Sequence, residues 1–498
     1  MNLSSSRKLE ALVICAVLVA YVVLAVELAR VRPPDADEGH FGNAAAIFEH
    51  EHFLAMPMWN NVWLPTLDKH MYVTTPLYFL GLSVWFKAFG TDLITMRFFS
   101  VLWGAIALVA WYVIVRLLSG STLISLLSFV LIGLNYDYVN LTSSRYDIMC
   151  AALSAAGLAA YLSLRQQRLC LALFLGNLLV AAAFMTHPFG LFGFVGLATF
   201  AIGLDCKRIR LKQLAISASP YVVALAAWGI YIAQDTQAFR IQFFGNARSR
   251  LSFAFSPLAG LLNELQQRYL ILFAGWRPGV PVYMRVKILI LLAILFSTLA
   301  CLLSKKIRQD RNYRPLLILT GLWFLMLTYL DVTKFYIYLI HIWPLYFVLM
   351  AIWLGTLIKQ GGLWRYLAAA CAAMLVLFAI VSVAYRVTLN SYTRTFIPAL
   401  AFLEQNVRGN ALVMAPGEFG FGLGFDRHVL DDRTLGFTTG KRPEYIVIDK
   451  EYEESIQNFR ATKPAVYAYV ENLLPTEYKL VFVSKTQYDF YRIYAYVP

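Results

Sequence analysis

Eleven apolar stretches constrain the fold of this sequence more than any other feature. They lie near residues 11–29, 97–118, 121–137, 147–164, 170–186, 189–204, 214–233, 286–303, 315–331, 336–358 and 364–385. A helix needs about 20 apolar residues to cross the hydrocarbon of a bilayer. The pattern therefore predicts a polytopic α-helical membrane protein with about 11 transmembrane helices.

The composition agrees with a membrane protein. Only 14% of the 498 residues are charged, whereas a soluble globular chain is about 25% charged. The six cysteines include no closely spaced pair, so neither a disulfide framework nor a cysteine metal site is expected. Together these features exclude a soluble enzyme, a disordered protein and a disulfide scaffold.

The net charge of +14 indicates membrane topology rather than nucleic-acid binding. Residues 386–498 contain 13 basic and 13 acidic side chains, so the excess of positive charge lies in residues 1–385. Basic side chains cluster in loops 205–213 and 304–314, which the positive-inside rule places in the cytoplasm. Those loops would face outward if segment 76–90 crossed the membrane, so we expect it to be an amphipathic helix at the outer interface.

This topology predicts a two-part organisation in a plasma membrane, most simply a bacterial inner membrane. Residues 1–386 form the transmembrane domain, with large outer loops at 30–96 and 234–285. Residues 387–498 form a small extracytoplasmic α/β domain, because residues 478–484 and 488–497 have strand composition. Its Gly-rich run 417–425 does not match a dinucleotide fingerprint, so we expect a backbone turn there and no nucleotide cofactor.

The first outer loop begins with three carboxylates just after the first span, at Asp35, Asp37 and Glu38. Carboxylates beside a bilayer can take a proton from a hydroxyl or hold a divalent cation. They can equally form a solvated acidic cap of the helix that follows. The spacing alone leaves both interpretations open.

Several ordered blocks resemble membrane glycosyltransferases of the GT-C type, in particular protein O-mannosyltransferases and aminoarabinose transferases. The blocks span roughly residues 10–360, and it is their order, more than any single block, that makes the resemblance specific. They are Asp37-Glu38, Pro76-Leu77-Tyr78-Phe79, Arg97-Phe98-Phe99-Ser100, Arg145 with Asp147, His187-Pro188, and Lys334 with Tyr336.

The resemblance implies transfer of a sugar from a polyprenyl-phosphate donor at the outer leaflet, usually with inversion. The acceptor would be a lipid, glycan or protein, and membrane lipids would be further partners. Asp37 would be the general base, with Glu38 beside it. Candidate contacts for the donor phosphate are Arg145, Lys334, Arg248, Arg250 and Lys69. Glu38 and Asp147 could hold Mg²⁺ or Mn²⁺, and His187 and Tyr78 are further candidates for the site.

The sequence departs from the family pattern at two donor-binding positions. It has Thr74-Thr75-Pro76 where relatives often have Lys-Pro-Pro, and Lys69 could replace the missing lysine. It also has His187-Pro188 where Lys-Gly is common. In addition, all six basic residues of loop 234–285 are arginines, which suits either bidentate phosphate contacts or anionic lipid headgroups.

Two other functions remain open at this stage. A transporter or flippase of lipid-linked saccharide would carry its charged site near the bilayer midplane, whereas the charged candidates here lie at the outer ends of the stretches. A polymerase or ligase of lipid-linked glycans would also use arginines in a large outer loop.

Overall fold

The computed structural model describes residues 3–142, 145–250, 256–278, 285–426 and 428–497. The chain divides into two compact units. The first unit contains Met1–Ala25, Ser100–Tyr231 and Gly245–Val383, and the second contains Val26–Phe99, Ile232–Phe244 and Ala384–Pro498. The second unit thus joins the first outer loop to the C-terminal segment, which a single boundary at residue 386 does not anticipate.

Helices account for most of the chain. In chain order the α-helices are α1 (Leu3–Val31), α2 (Ala36–Glu51), α3 (Leu77–Phe89), α4 (Leu93–Ser119), α5 (Thr122–Gly133), α6 (Tyr136–Leu141), α7 (Tyr146–Leu164), α8 (Leu169–Thr186), α9 (Gly190–Asp205), α10 (Leu211–Ile232), α11 (Thr236–Arg250), α12 (Pro257–Asn263), α13 (Lys287–Leu303), α14 (Lys305–Gln309), α15 (Arg314–Leu330), α16 (Leu339–Gln360), α17 (Gly362–Leu389), α18 (Ile397–Asn406), α19 (Gly420–Leu423), α20 (Lys450–Thr462) and α21 (Pro464–Glu477). Short 3₁₀ turns lie at Pro57–Trp59, Cys206–Arg208, Tyr336–Tyr338 and Gly417–Phe419, and π-helical turns at Glu264–Phe273 and Tyr392–Phe396.

The helices confirm a multi-pass membrane protein but not the number of spans. Each of the eleven apolar stretches contains a helix, and eight helices in the described residues are long and apolar enough to cross a membrane. The helices α5, α13 and α15 are shorter than 18 residues, so a count of eleven is not established. Segment 76–90 forms α3, whose 13 residues are too few for a span.

Burial differs sharply among the helices of the first unit. Nearly all of α16 is buried, and it packs against α5, α13 and α15. In contrast, α10 exposes large apolar side chains along its length, including Leu211, Val223 and Ile230. Apolar side chains exposed on a long helix are expected where lipid, not water, is the solvent. The first unit is therefore centred on α16, and α10 presents its apolar surface outward.

A small mixed sheet in the second unit confirms the expected C-terminal α/β domain. Its strands are β1 (Val413–Met414), β2 (Val429–Leu430), β3 (Tyr445–Asp449), β4 (Tyr478–Lys485) and β5 (Phe490–Tyr496), in the order β2-β1-β3-β5-β4. The β1–β2 and β1–β3 pairs are parallel, whereas β5 is antiparallel to both β3 and β4.

The core of this domain forms between the sheet and helices α20 and α21. Ile446 and Ile448 of β3 point to the same face, because successive side chains of a strand alternate. They pack with Tyr452 of α20 and Val470 of α21, all less than 9% exposed. The Gly-rich run forms the short helical turns that follow β1.

Candidate active site

The first turn of α2 carries the acidic segment that follows the first span. Asp35 is the N-cap residue, and its side chain accepts a hydrogen bond from the backbone N–H of Asp37 at 2.9 Å. The Glu38 carboxylate accepts in turn from the backbone N–H of Asp35 at 2.9 Å. This reciprocal capping box satisfies otherwise unpaired donors at the helix start. Asp35 is therefore a cap, as one interpretation of the sequence predicted.

Glu38 is engaged in a buried ion pair with Arg97 of α4. The Arg97 Nε and Nη2 atoms each donate to one Glu38 oxygen at 2.7 Å, and both side chains are 0% exposed. Burial alone would raise the pKa of Glu38, but the charges of Arg97 and Arg32 outweigh it and hold the pKa below its usual value. Glu38 is thus ionised with both oxygens occupied, which favours a structural role over catalysis or metal binding.

Arg97 also ties the acidic segment to the end of the first span. Its Nη1 donates to the carbonyls of Ala29 and Arg32, and its Nη2 donates to the carbonyl of Pro33. Carbonyls at a helix C-terminus lack partners within the helix, and an arginine fork can satisfy several at once. The Arg-x-x-Ser block of the resemblance therefore has a physical function here, which is to hold the start of the outer loop.

Asp37 differs from its two acidic neighbours in its exposure. Its side chain is 41% exposed, and its Oδ1 lies 3.5 Å from Nδ1 of His40, one turn along α2. The His40 ring lies on the indole of Trp59, with centroids 3.6 Å apart, and 5.6 Å from that of Trp63. Asp37 is therefore an accessible carboxylate at a helix N-terminus beside an aromatic group, which suits a proton acceptor at a surface.

Two carboxylates of the C-terminal domain have raised pKa values, Asp449 at the end of β3 and Glu451 at the start of α20, and Glu451 lies near this turn. Burial, with the charges of Asp35 and Asp37 as further causes, raises the pKa of Glu451 to about 7. Burial and the charge of Asp431 raise the pKa of Asp449 to about 6. Sequence analysis did not identify these carboxylates, because their proximity to the first loop depends on tertiary packing.

In the first unit, Arg145, Asp147 and His187 come together. Arg145 Nε lies 2.9 Å from an oxygen of Asp147, whose side chain is 2% exposed. Oδ1 of Asp147 has no hydrogen-bond partner among the described residues. The ring of Tyr146 stacks on His187 at 4.8 Å, and His187 Nδ1 accepts from the N–H of Phe189. His187 is therefore packed and hydrogen-bonded beside the Arg145–Asp147 pair.

Lys334 belongs to a second ionic cluster. Its Nζ lies 3.0 Å from Glu264, and Glu264 in turn pairs with Arg268 at 2.6 Å. Arg268 also contacts Asp331 at 3.0 Å, and all four side chains are at most 4% exposed. A lysine so buried and paired is less suited to a donor phosphate than the sequence suggested. The same applies to Arg268, one of the six arginines of loop 234–285.

A third ion pair, between Lys287 and Asp137, was missed by sequence analysis. Lys287 Nζ lies 2.5 Å from Asp137 Oδ1 and near the faces of the Tyr136 and Phe273 rings. The Lys287 side chain is 21% exposed, and the second oxygen of Asp137 is buried with no hydrogen-bond partner in the described part of the chain. The sequence feature that could have identified this pair is Lys287 itself, an ionisable residue at the start of the apolar stretch 286–303.

The remaining candidates lie in different environments. Lys69 is exposed in the first loop, and Arg248 is exposed near the end of α11. The side chain of Arg250 lies outside the described residues. Tyr78 is fully buried among Phe41, Phe79 and Phe99, which is the environment of a packing residue.

A metal site is not apparent in the described ranges. No three His, Cys, Asp or Glu side chains there are arranged to hold a metal ion. Of the two expected ligands, Glu38 has both oxygens engaged by Arg97. The residues present therefore do not fit the expected Mg²⁺ or Mn²⁺ site.

No protein-family model matches the sequence, and no curated protein is significantly similar to it. Solved structures do match. ArnT from Cupriavidus metallidurans bound to undecaprenyl phosphate has 12% identity and a TM-score of 0.55, over 97% of each chain. The oligosaccharyltransferase AglB from Archaeoglobus fulgidus, in complex with an inhibitory peptide and a dolichol-phosphate, has 14% identity and a TM-score of 0.54, over 96% of this chain and 74% of that one.

A second structure of the Archaeoglobus fulgidus oligosaccharyltransferase contains Zn and sulfate, and has 13% identity and a TM-score of 0.54 over 96% of this chain and 72% of that one. At such identities the similarity establishes the fold alone, and it is the GT-C fold expected from the sequence resemblance.

Proposed function

We propose that this protein is an integral-membrane glycosyltransferase that uses a polyprenyl-phosphate-linked sugar. The observation that carries the proposal is the arrangement of the first turn of α2. Asp35 caps the helix, Glu38 is held by Arg97, and Asp37 remains 41% exposed. The fold supports the donor class, because ArnT of the same fold binds undecaprenyl phosphate.

In the proposed reaction, the hydroxyl oxygen of the acceptor attacks the anomeric carbon of the sugar. Asp37 takes the proton of that hydroxyl at the same time. The bond between that carbon and the phosphate oxygen breaks, and the electron pair leaves with the polyprenyl phosphate. A hydroxyl is a weak nucleophile, so a positioned base contributes about 10²–10⁴ to the rate. Direct displacement inverts the anomeric centre. The two expected ligands, Glu38 and Asp147, do not form a metal site in the part of the chain that the structure describes, so no step of the proposed reaction uses a metal.

We assign the donor phosphate to basic side chains of the first unit. Each of the three basic candidates is paired with a carboxylate, but Arg145 is 12% exposed and Lys287 is 21% exposed, whereas Lys334 is only 4% exposed. Positive charge near the phosphate stabilises the departing anion. Arg145 and Lys287 are therefore better candidates than Lys334. The acceptor would be a lipid, glycan or protein hydroxyl.

We further propose that the reaction takes place on the outer side of a bacterial inner membrane. The basic loops 205–213 and 304–314 would then face the cytoplasm, and residues 387–498 would be extracytoplasmic. No nucleotide sugar would be required there.

The base is tested by the release of undecaprenyl phosphate from a panel of undecaprenyl-phosphate-linked hexoses and pentoses, in the presence of a membrane extract that supplies lipid, glycan and protein hydroxyl acceptors. Asp37→Asn keeps the shape of the side chain and removes the proton acceptor, so we expect a loss of about 10²–10⁴ in rate with undecaprenyl phosphate binding retained. Asp35→Asn is the matched control and should lose far less, because asparagine also caps helices. An Asp37→Asn variant with wild-type activity would overturn the assignment of Asp37 as the base. If the wild type released undecaprenyl phosphate from none of these donors, the proposed donor class would be wrong.

The phosphate contact is tested separately by titration of undecaprenyl phosphate into the purified protein. Lys287→Met keeps the length of the side chain and removes its charge, and a lost charged hydrogen bond corresponds to about 1.5–3 kcal/mol, so we expect a Kd roughly 10- to 100-fold higher. Lys306→Met, at an exposed lysine of α14, is the control. Equal affinity of wild type and Lys287→Met would remove Lys287 from the phosphate site.

A further inference from the structure

The imidazole of His40 is the polar group placed beside the proposed base. It lies one turn after Asp37 on α2, with Nδ1 3.5 Å from the Asp37 carboxylate. Residues three apart on a helix lie on the same face, so this geometry follows directly from the sequence D-E-G-H. The sequence resemblance assigns no role to His40.

The orientation of the His40 ring is restricted by its neighbours. It packs against Trp59 at a centroid distance of 3.6 Å and against Trp63 at 5.6 Å, with both rings tilted relative to it. Trp59 is itself 5% exposed and lies against the Gly417 turn. The imidazole ring is therefore packed against two indoles, and the close contact with Trp59 limits its rotation about the Cβ–Cγ bond.

The two ring nitrogens have different surroundings. Nδ1 is directed to Asp37, whereas Nε2 is buried without a hydrogen-bond partner among the residues described. A neutral imidazole carries its proton on the nitrogen that has an acceptor. The carboxylate of Asp37 lies 3.5 Å from Nδ1 and places an acceptor on that side of the ring, so this environment favours the tautomer with hydrogen on Nδ1.

We propose that His40 is a positioning residue for Asp37, orienting its carboxylate through Nδ1 so that one oxygen faces the acceptor hydroxyl. This inference rests on the proposed function, in which Asp37 is the general base. The Asp37 side chain is 41% exposed and lies within 3.5 Å of the ring, so the ring contacts the carboxylate that an acceptor would reach. A base that is misplaced by about 1 Å can lose roughly 10²-fold in rate.

Three substitutions of His40 distinguish a role in positioning Asp37 from a role in packing against Trp59. His40→Asn places an amide N–H near the position of Nδ1 but removes the ring. His40→Phe keeps an aromatic ring on Trp59 but removes both nitrogens. His40→Gln places its amide nearer the position of Nε2. Positioning predicts that only His40→Asn retains most of the activity, whereas packing predicts that His40→Phe retains it.

The readout is the kcat and KM for release of undecaprenyl phosphate from the donor panel used for Asp37. We expect His40→Phe and His40→Gln to lose about 10- to 100-fold in kcat, with the Kd for undecaprenyl phosphate unchanged. His50→Phe is the matched control, since His50 lies on the same helix and its side chain is 70% exposed. The thermal unfolding midpoint of each variant reports any loss of packing.

The double variant Asp37→Asn/His40→Phe distinguishes this inference from the proposed function. Groups that act as a unit are non-additive, so the double variant should be no slower than Asp37→Asn alone. If Asp37→Asn is inactive and His40→Phe has wild-type activity, His40 has no positioning role and the proposed function stands. If Asp37→Asn is itself active, the base assignment fails and the inference fails with it.

Discussion

Adjacent carboxylates can have opposite environments, and the first turn of α2 is an example. Glu38 is fully buried and neutralised by Arg97, whereas Asp37 is 41% exposed beside His40. A buried ion pair is costly to break, because removing one partner leaves a buried charge unpaired and lowers the free energy of unfolding by about 3–5 kcal/mol. Loss of activity on replacing Glu38 would therefore reflect loss of structure. The Asp-Glu pair thus combines one accessible carboxylate, Asp37, with one that is buried and paired, Glu38.

Glu418 provides a prediction about pH. It is 1% exposed and accepts a hydrogen bond from the Tyr491 hydroxyl at 3.0 Å. Burial, with the nearby charges of Asp449 and Asp431, raises the pKa of Glu418 well above its usual value. The folded chain then holds a proton that the unfolded chain loses above about pH 4.5. Its contribution to stability is complete below that pH and falls as the pH rises toward the folded pKa.

Glu418→Gln removes this titration and keeps an acceptor for Tyr491. We expect the variant to match the wild type near pH 4.5 and to become the more stable of the two as pH increases, by at most about 1.4 kcal/mol per pH unit. The measurement is the thermal unfolding midpoint of the full chain in detergent from pH 4.5 to 8. Glu453→Gln, at an exposed pair with Arg492, is the control. A constant difference across this range would contradict the prediction.

At the scale of elements, α2 is placed by contact between two glycines. A Cβ atom on Gly39 would lie 2.1 Å from the carbonyl carbon of Gly417 and 2.5 Å from the backbone nitrogen of Glu418. Such distances are shorter than any van der Waals contact, and backbone cannot move aside as a flexible side chain can. The glycine beside the Asp-Glu pair and the Gly-rich run of the C-terminal domain therefore meet backbone to backbone.

Gly39→Ala tests this contact. Overpacking of a close contact costs about 1–3 kcal/mol, and displacement of α2 would also move Asp37. We therefore expect a lower unfolding midpoint together with reduced transfer activity. Gly229→Ala in α10 is the control, because a Cβ there meets nothing within 4 Å and alanine favours a helix by about 0.5–1 kcal/mol. Equal stability of Gly39→Ala and the wild type would show that the backbones at Gly39 and Gly417 are not in close contact.

At the scale of the whole molecule, the membrane topology is the main prediction. Glu471 is exposed on α21 and Lys306 is exposed on α14, and the positive-inside rule assigns them to opposite sides. In a chain whose native cysteines have been replaced, a membrane-impermeant maleimide added to intact cells should label Glu471→Cys and spare Lys306→Cys. If only Lys306→Cys were labelled, the predicted topology would be wrong and the opposite orientation would be indicated.

The membrane class and the α/β character of the C-terminal domain were predictable from sequence. Hydropathy is a sum over neighbouring residues, so each apolar stretch reports its own environment. The cap at Asp35 is equally local, since a capping box involves residues three apart. The number of spans is not established, because α5, α13 and α15 have fewer than 18 residues each.

The surroundings of the charged side chains were decided only by the tertiary structure. Glu38 is 59 positions from Arg97, and Asp137 is 150 positions from Lys287. Whether a charge is neutralised depends on distances between elements that sequence separation does not encode. Composition therefore identified a membrane protein with an acidic first loop, whereas packing determined that Glu38 and Lys334 are paired and buried and that Asp37 stays accessible.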